Sequence, residues 1–349
     1  MRDLHDVAKY IFINEEGEFR SGWRVLAFFL CFIVCAALLF SLTRAFATLF
    51  PSLSFLVIEP SSEYISRDVL IYLVVSNARN FAAAALSSAI CARILERRSF
   101  GSVGFRLHRG WPRDFLLGSL MGASSLAIVV GSGVGLGAFR FDVQTRNWKS
   151  LLAGLLVTSS FFIIAGATEE LLFRGFPFQA LVHNLGDARA ITITAILFGL
   201  AHISNPSASI FSTINTVLAG AWLGLAYLRT RNLWLATGLH WSWNFAMVFV
   251  FGLPVSGFTT LGQMAWLRGT PGAPMWVSGG SYGPEAGLAA TAGLILSTLA
   301  IYKGGLFSAS EEMLVATRHG KQEPAFIRVT PADDESSASA TGSQGSERE

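Results

Sequence analysis

The chain consists of long apolar blocks separated by short polar connectors. Apolar runs of about 18 or more residues are long enough for a helix to cross a membrane. Because lipid requires every backbone hydrogen bond to be satisfied within the segment, we expect helices, and the alternating ten-residue segments of a β-barrel are absent. The sequence therefore predicts an all-α fold, a polytopic transmembrane helix bundle of about eight spans with a disordered C-terminal tail. The predicted spans are residues 24–42, 68–92, 115–138, 149–173, 188–204, 208–228, 232–253 and 286–303.

The blocks and connectors predict three regions. Residues 1–23 form a cytoplasmic or interfacial lead-in, and residues 24–307 form a transmembrane domain whose motifs, described below, lie within 149–253. Within that domain, the Gly- and Pro-rich segment 254–284 is expected to be an external loop. Residues 308–349 end in ADDESSASATGSQGSERE, which cannot bury enough apolar surface to fold, so we expect a disordered polar tail.

Composition restricts the class of protein further. Of the 349 residues, 52% are hydrophobic and 14% are charged, whereas a soluble domain has about 25% charged residues. This composition excludes an ordinary soluble protein. The formal net charge of +3 is too small to indicate a nucleic-acid partner. The three cysteines lie inside apolar blocks and do not form a disulfide framework.

The positions of Lys and Arg predict the orientation in the membrane, since cytoplasmic loops carry an excess of both. The connector between the second and third spans has the densest basic cluster between spans. If that connector is cytoplasmic, an even number of spans places both termini in the cytoplasm as well. We see no eukaryotic targeting marks, so we expect a multi-pass protein of the bacterial inner (plasma) membrane. The basic residues of the connector are Arg97, Arg98, Arg106, Arg109 and Arg113.

Three charged residues close the fourth apolar block, in the stretch ATEELLFRGF. A charge near the bilayer centre costs about 2.5–3.5 kcal/mol, so its presence there requires a reason. Glu170 and Arg174 are four residues apart with the acid first, which favours a helical ion pair. Glu169 is rotated from Glu170 by about 100° and is left to point into the bundle as a general base or acid. The alternative is that all three charges lie at the cytoplasmic end of a span and reach towards water.

Two histidines in other apolar blocks favour the chemical interpretation. A single intramembrane histidine often makes only an interhelical hydrogen bond. His202, His240 and Glu169, on three separate spans, together form a set that can activate water or hold a metal such as zinc. Asn244 follows His240 by one helical turn and could orient it or bind an oxyanion. Phe198 lies one turn before His202 on the same helix face.

Three short motifs carry a family resemblance. EELLFR fits EExxxR, FGLAH fits FxxxH and HWSWN fits HxxxN, in this order along the chain. Together they resemble the CPBP intramembrane proteases, the family of the type II CAAX prenyl endopeptidase and of bacterial CAAX proteases and bacteriocin-processing proteins. The resemblance implies an intramembrane endopeptidase, a hydrolase that cleaves a peptide bond in or next to the membrane. It implies catalytic roles for Glu169, His202, His240 and Asn244, with Glu170, Arg174 and Phe198 in support.

Within this resemblance, Glu169 is the general base that activates water. His202 and His240 position the water or stabilise the oxyanion, and Asn244 donates to it. The resemblance leaves two mechanisms open. One is a metalloprotease with one divalent metal such as zinc on Glu169, His202 and His240, and the other is a glutamate protease with no metal. The sequence lacks HExxH, so it is not a zinc protease of the site-2 type.

Two further functions use the same residue types. A proton- or ion-coupled transporter would use Glu169, His202 and His240 as a relay, although the internal repeat typical of transporters is not found. A non-catalytic membrane scaffold would keep these residues for folding alone. For a protease, the expected partners are a peptide or membrane-protein substrate and the lipid bilayer. Prenylated CaaX proteins are a eukaryotic substrate class, so the substrate stays open.

The predicted spans place the three candidate residues at different depths. Glu169 lies near the cytoplasmic end of the fourth span, whereas His202 lies near the far end of the fifth. One catalytic site requires a single depth. The sequence therefore predicts that the connector between these spans re-enters the bilayer or that the fifth span has other boundaries.

Overall fold

The computed structural model describes residues 11–14, 17–57 and 65–318. In these ranges the protein is mostly α-helical with one small two-stranded sheet, which confirms the predicted fold class. The helices are α1 (Ser21–Leu49), α2 (Arg67–Leu95), α3 (Trp111–Gly135), α4 (Trp148–Phe173), α5 (Phe176–Leu185), α6 (Asp187–Ala201), α7 (Ile210–Thr230), α8 (Trp234–Phe245), α9 (Met275–Ser278), α10 (Leu288–Lys303) and α11 (Glu311–Ala316). The strands are β1 (Phe139–Val143) and β2 (Leu267–Pro271), and they pair antiparallel.

Each of the eight predicted spans corresponds to one of these helices. Among the described residues, five segments are long and apolar enough to cross a membrane: α1, α2, α3, the stretch Trp148–Leu185 and α7. Helix α6 has 15 residues, and α8 has 12 residues followed by a π-helical turn at Ala246–Val250. Helix α10 is a shorter apolar helix. The protein is therefore a multi-pass membrane protein that also contains several shorter helices.

Helices α3 and α8 pack with their backbones in contact. A Cβ atom at Gly118 would lie 2.3 Å from the carbonyl oxygen of Leu235, and one at Gly122 would lie 2.4 Å from that of Leu239. On the other side of the contact, a Cβ at Gly238 would lie 2.3 Å from a backbone oxygen of α3. Small residues allow this close approach between membrane helices. The glycines thus fix the position of α8, which carries His240 and Asn244.

A short buried helix brings the fourth and fifth apolar blocks to one site. After α4 ends, the ten-residue α5 continues the chain, and its residues 176–181 are all buried. At 1.5 Å per residue, α5 accounts for about 15 Å and the returning α6 for about 22 Å. His202, directly after α6, therefore comes back to Glu169, and their side chains lie 3.9 Å apart. The difference in depth that the sequence predicted between Glu169 and His202 is absent, because α5 and α6 are both shorter than a full span and return the chain to the level of Glu169.

The two terminal segments meet on the side of the basic connector. Arg24 in α1 is buried and pairs with Glu18 of the lead-in and, at 3.1 Å, with Glu96 at the end of α2. Glu312 in α11 pairs with Arg106 of the connector at 2.7 Å. The described terminal segments and the connector therefore lie close together, which is the arrangement that the predicted even number of spans requires. That this side faces the cytoplasm stays a prediction.

The predicted tail contains one helix within the described residues. Ser310 caps α11, and Met313 on this helix is fully buried. Ordered structure thus continues past residue 308, the expected start of the tail. Residues 319–349 lie outside the described ranges, as do residues 1–10, 15 and 16 of the predicted lead-in.

Candidate active site

Glu170 and Arg174 form a fully buried ion pair at the end of α4. Arg174 Nη1 donates to Glu170 Oε1 at 3.2 Å, and both side chains have 0% exposed surface. Arg174 Nη2 also donates to the carbonyl oxygen of Gly220 in α7 at 3.0 Å. The guanidinium lies over the ring of Phe198, 4.4 Å from its centroid. The predicted pairing of the second glutamate with the arginine is confirmed.

His240 is bound by the same glutamate. Its Nδ1 lies 2.9 Å from Glu170 Oε1. Because Glu170 is paired with a guanidinium, its ionised carboxylate can only accept, so Nδ1 of His240 carries the hydrogen. This bond fixes the ring and turns Nε2 away from Glu170. The sequence suggested that Asn244 could orient this imidazole, but the structure gives that role to Glu170.

His202 is oriented by the backbone of its own helix. Its Nδ1 lies 2.7 Å from the carbonyl oxygen of Phe198, one turn earlier in α6. A carbonyl oxygen can only accept, so Nδ1 donates here too and Nε2 is left for other partners. The Phe198 ring packs on the imidazole with ring centroids 4.7 Å apart. Phe198 therefore supports His202 through both its backbone and its side chain.

Glu169 faces the Nε2 atoms of both imidazoles. Its Oε2 lies 3.7 Å from His240 Nε2 and 3.9 Å from His202 Nε2. Within the described residues this buried oxygen has no hydrogen-bond partner. Both distances exceed those of a direct hydrogen bond, and a water molecule that bonds to Glu169 and an imidazole can lie to one side of the line between them. The structure thus brings together the three residues that the sequence placed on separate spans.

These three side chains do not fit a metal as they are placed. Zinc ligands at 2.0–2.2 Å in a tetrahedral site lie about 3.4 Å from one another. The two distances to Glu169 Oε2 are 3.7 and 3.9 Å. Throughout the described ranges, no group of three His, Cys, Asp or Glu side chains has the geometry to hold a metal ion. A zinc ion bound to all three side chains would require Glu169 to move closer to both imidazoles.

A cavity of about 610 Å³ opens beside Glu169. Glu169, His202, His240 and Asn244 all line it, so the four predicted catalytic residues share one space. Asn244 lies one turn after His240 on α8 and is half-buried. The volume falls within the range of about 300–1,000 Å³ that is typical of ligand sites. Most of the remaining wall is apolar, with Phe161, Phe162, Phe173, Phe198, Trp222, Leu223 and Trp243 among its residues.

The comparison with protein families agrees with this geometry. Residues 149–246 match the Rce1-like family, described as type II CAAX prenyl endopeptidase Rce1-like. The chain carries a CAAX protease domain. The match confirms the predicted resemblance, and it includes Glu169, His202, His240 and Asn244. No curated protein and no solved structure matches the chain.

The CAAX protease domain ends before the segment that closes the cavity. Residues 254–284, which were expected to be an external loop, fold back onto the bundle, and Val255, Ser256 and Phe258 line the cavity. Glu285 lines it as well, although none of the three motifs pointed to it. One signal was present in the sequence, because Glu285 is the only charged residue between Arg268 and Lys303.

The same segment contains GGSYG at residues 279–283, which fits the serine-hydrolase pattern GxSxG. In hydrolases that motif places the serine on a sharp turn between a strand and a helix. Here it follows the four-residue helix α9 and forms a short 3₁₀ turn. Ser281 is exposed and does not line the cavity. The stretch therefore lacks the structural context of a nucleophile.

Proposed function

We propose that the protein is an intramembrane endopeptidase that hydrolyses a peptide bond in or next to the membrane, with Glu169 activating water. The observation that carries this proposal is the Oε2 atom of Glu169, which has no hydrogen-bond partner in the described structure and faces two imidazole Nε2 atoms at 3.7 and 3.9 Å. The CAAX protease domain supports it, because that family consists of proteases. The apolar cavity wall suits an apolar peptide segment.

In the first step, a water molecule binds between Glu169 and His202. Nε2 of His202 accepts one O–H, because Nδ1 already donates to the carbonyl oxygen of Phe198. The carboxylate of Glu169 takes the other proton as the water oxygen attacks the carbonyl carbon of the substrate. A tetrahedral intermediate forms, with negative charge on the former carbonyl oxygen.

In the second step, that oxyanion receives hydrogen bonds from α8. The Asn244 amide donates one, and His240 in its imidazolium form donates another from Nε2. Glu170, bonded to Nδ1, stabilises the imidazolium. Glu169 then returns its proton to the leaving nitrogen as the C–N bond breaks, which releases an amine and a carboxylic acid and restores the carboxylate.

We also propose a location for the protein and an extent for its transmembrane domain. The protein would lie in a bacterial inner membrane with the basic connector, and hence both termini, in the cytoplasm. The transmembrane domain would extend over residues 24–307, so that α10 belongs to the catalytic unit. Helix α10 packs along α7 and α3, and Trp222 Nε1 donates to Ser297 Oγ at 3.0 Å.

A comparison of peptide termini by mass spectrometry tests the proposal. Wild-type protein, Glu169→Gln and the control Glu312→Gln are reconstituted in proteoliposomes and mixed with a host membrane extract, with and without a chelator. Glu312 lies far along the chain, on α11, and pairs with Arg106. We expect new termini with wild type and Glu312→Gln, none with Glu169→Gln, and no effect of the chelator.

Two results would count against this scheme. Identical termini from wild type and a folded Glu169→Gln protein would exclude proteolysis by this site. Loss of the new termini on chelation, with recovery on adding zinc, would show that the three side chains rearrange around a metal and that the metal-free steps are wrong.

A further inference from the structure

Glu285 is a second carboxylate in the cavity of Glu169. It lies in the segment between α9 and α10, outside the CAAX protease domain, and it is half-buried. The cavity lining includes it together with His202 and His240. The proposed hydrolysis assigns it no role. An acidic group at this place therefore requires a separate explanation.

The protein holds Glu285 firmly in place. The backbone N–H and the hydroxyl of Ser256 both donate to its Oε2, at 2.6 and 2.9 Å. Ser256 has a φ of 49°, a left-handed conformation that is unfavourable for a residue other than glycine. The carbonyl oxygen of Glu285 accepts from Asn215 Nδ2 in α7 at 2.8 Å. Both hydrogen bonds to the carboxylate use Oε2, so Oε1 lies outside them.

The described lining of the cavity has two carboxylates and neither a lysine nor an arginine. It also contains two histidines. Arg174 lies close by but is fully buried and paired with Glu170. Burial raises the pKa of Glu285, while the hydrogen bonds from Ser256 and the nearby imidazoles lower it in part. An opposite charge within about 4–6 Å favours the ionised form of such a carboxyl group, so a cation that enters the cavity would be attracted to Glu285.

We infer that Glu285 binds a positively charged group of the substrate, either a Lys or Arg side chain or a free amino terminus, and thereby determines which peptides are cleaved. The carboxylate supplies the charge, and Oε1 accepts the hydrogen bond of the cation. The aliphatic stem of a basic side chain lies along apolar wall residues such as Phe258 and Trp243. The inference rests on the proposed function, since the bound cation belongs to the peptide that Glu169 hydrolyses.

The residues around the cleavage sites test the inference first. Termini produced from the membrane extract by wild type, Glu285→Gln and Glu285→Lys are compared. Glutamine keeps an oxygen for the donors of Ser256 and removes only the charge. We expect the wild-type sites to be enriched in Lys or Arg at one position near the cut, or to lie close to a free amino terminus. This enrichment should disappear in Glu285→Gln and change towards Asp and Glu in Glu285→Lys.

Synthetic peptides then measure the effect and identify the source of the charge. A peptide from one of these sites is made with Lys or with the uncharged norleucine, and with a free or an acetylated amino terminus. A charge-assisted contact predicts that wild type loses roughly ten- to hundredfold in kcat/KM when the recognised cation is removed. Glu285→Gln should cleave charged and uncharged peptides equally. If the norleucine peptide is cleaved more slowly, the bound cation is the basic side chain. If the acetylated peptide is cleaved more slowly, the bound cation is the amino terminus.

The outcomes separate this inference from the proposed function. Cleavage by wild type without any preference for a cation, or a preference that Glu285→Gln keeps, overturns the inference and leaves the protease. Absence of cleavage by wild type overturns both. Glu312→Gln should keep the wild-type preference, and thermal unfolding of each variant shows that it is folded. If Glu285→Gln fails to fold, Glu285→Asp keeps the charge and must keep the preference.

Discussion

Nδ1 of His240 lies 2.9 Å from Oε1 of Glu170, while Nε2 of the same ring lies 3.7 Å from Oε2 of Glu169. One imidazole therefore contacts two adjacent glutamates of α4 through its two nitrogens. Glu170 is tied to Arg174 and holds the ring, which leaves Glu169 at the cavity wall. This geometry predicts different roles for the two neighbouring acids.

Glu169→Gln should remove the general base and keep the fold. General-base catalysis contributes about 10²- to 10⁴-fold, so we expect cleavage to fall by that factor or below detection. Glutamine has nearly the same volume as glutamate, so the temperature of unfolding should change little. Cleavage of an identified substrate peptide and thermal unfolding in detergent measure the two effects. Full activity in this variant would contradict the role of Glu169.

His202→Ala and His240→Ala should each abolish cleavage in folded protein. The histidines and Glu169 act on the same reacting groups. The losses of activity caused by the separate substitutions should therefore not be additive. The double variant Glu169→Gln with His202→Ala should be hardly slower than Glu169→Gln alone. His183→Ala is the control, since His183 lies on α5 and does not line the cavity. Additive losses would show that His202 acts independently of Glu169.

Removing Arg174 should destabilise the protein more than removing the whole ion pair. Arg174→Gln leaves Glu170 buried without its guanidinium, a change that costs about 3–5 kcal/mol. The double variant Glu170→Gln with Arg174→Gln leaves no buried charge in the pair and should unfold at a higher temperature than Arg174→Gln. Glu170→Gln alone should lower activity less than Glu169→Gln does. Any larger loss should come from a lower amount of folded protein. If the double variant were the least stable of the three, the pair itself would be a net source of stability.

Gly122→Ala should weaken the packing of α3 on α8. The new Cβ would lie 2.3 Å from Ser242 Oγ and 2.4 Å from the carbonyl oxygen of Leu239, so the helices must separate. Overpacking of this kind costs about 1–3 kcal/mol. Activity should fall as well, because Leu239 precedes His240 on α8. Thermal unfolding and peptide cleavage report the two effects.

Gly131→Ala provides the matched control on the same helix. Gly131 is exposed, and a Cβ atom added to it would meet no atom within 4 Å, so alanine should be neutral or slightly stabilising. Equal losses in the two variants would mean that the close approach at Gly122 is not what positions α8.

Much of the bundle could be predicted from the sequence. Long apolar blocks can satisfy their backbone hydrogen bonds in lipid only as helices, and each predicted span has its helix. The i,i+4 spacing of Glu170 and Arg174 predicted their ion pair, because it depends on helix geometry alone. The three motifs that carry the family resemblance could be recognised for a similar reason, because each of them lies within one or two turns of a helix.

Other features depended on the path of the chain between helices. The depth of His202 follows from the lengths of α5 and α6, and the hydrophobic pattern alone merges these elements into the neighbouring spans. The bond between Glu170 and His240 joins residues 70 positions apart. Glu285 comes from a segment whose Gly and Pro content is typical of an exposed loop. Local patterns determine which helices form and which residues share a helix face, whereas contacts between distant segments are decided by packing, and those contacts place the groups that meet in the cavity.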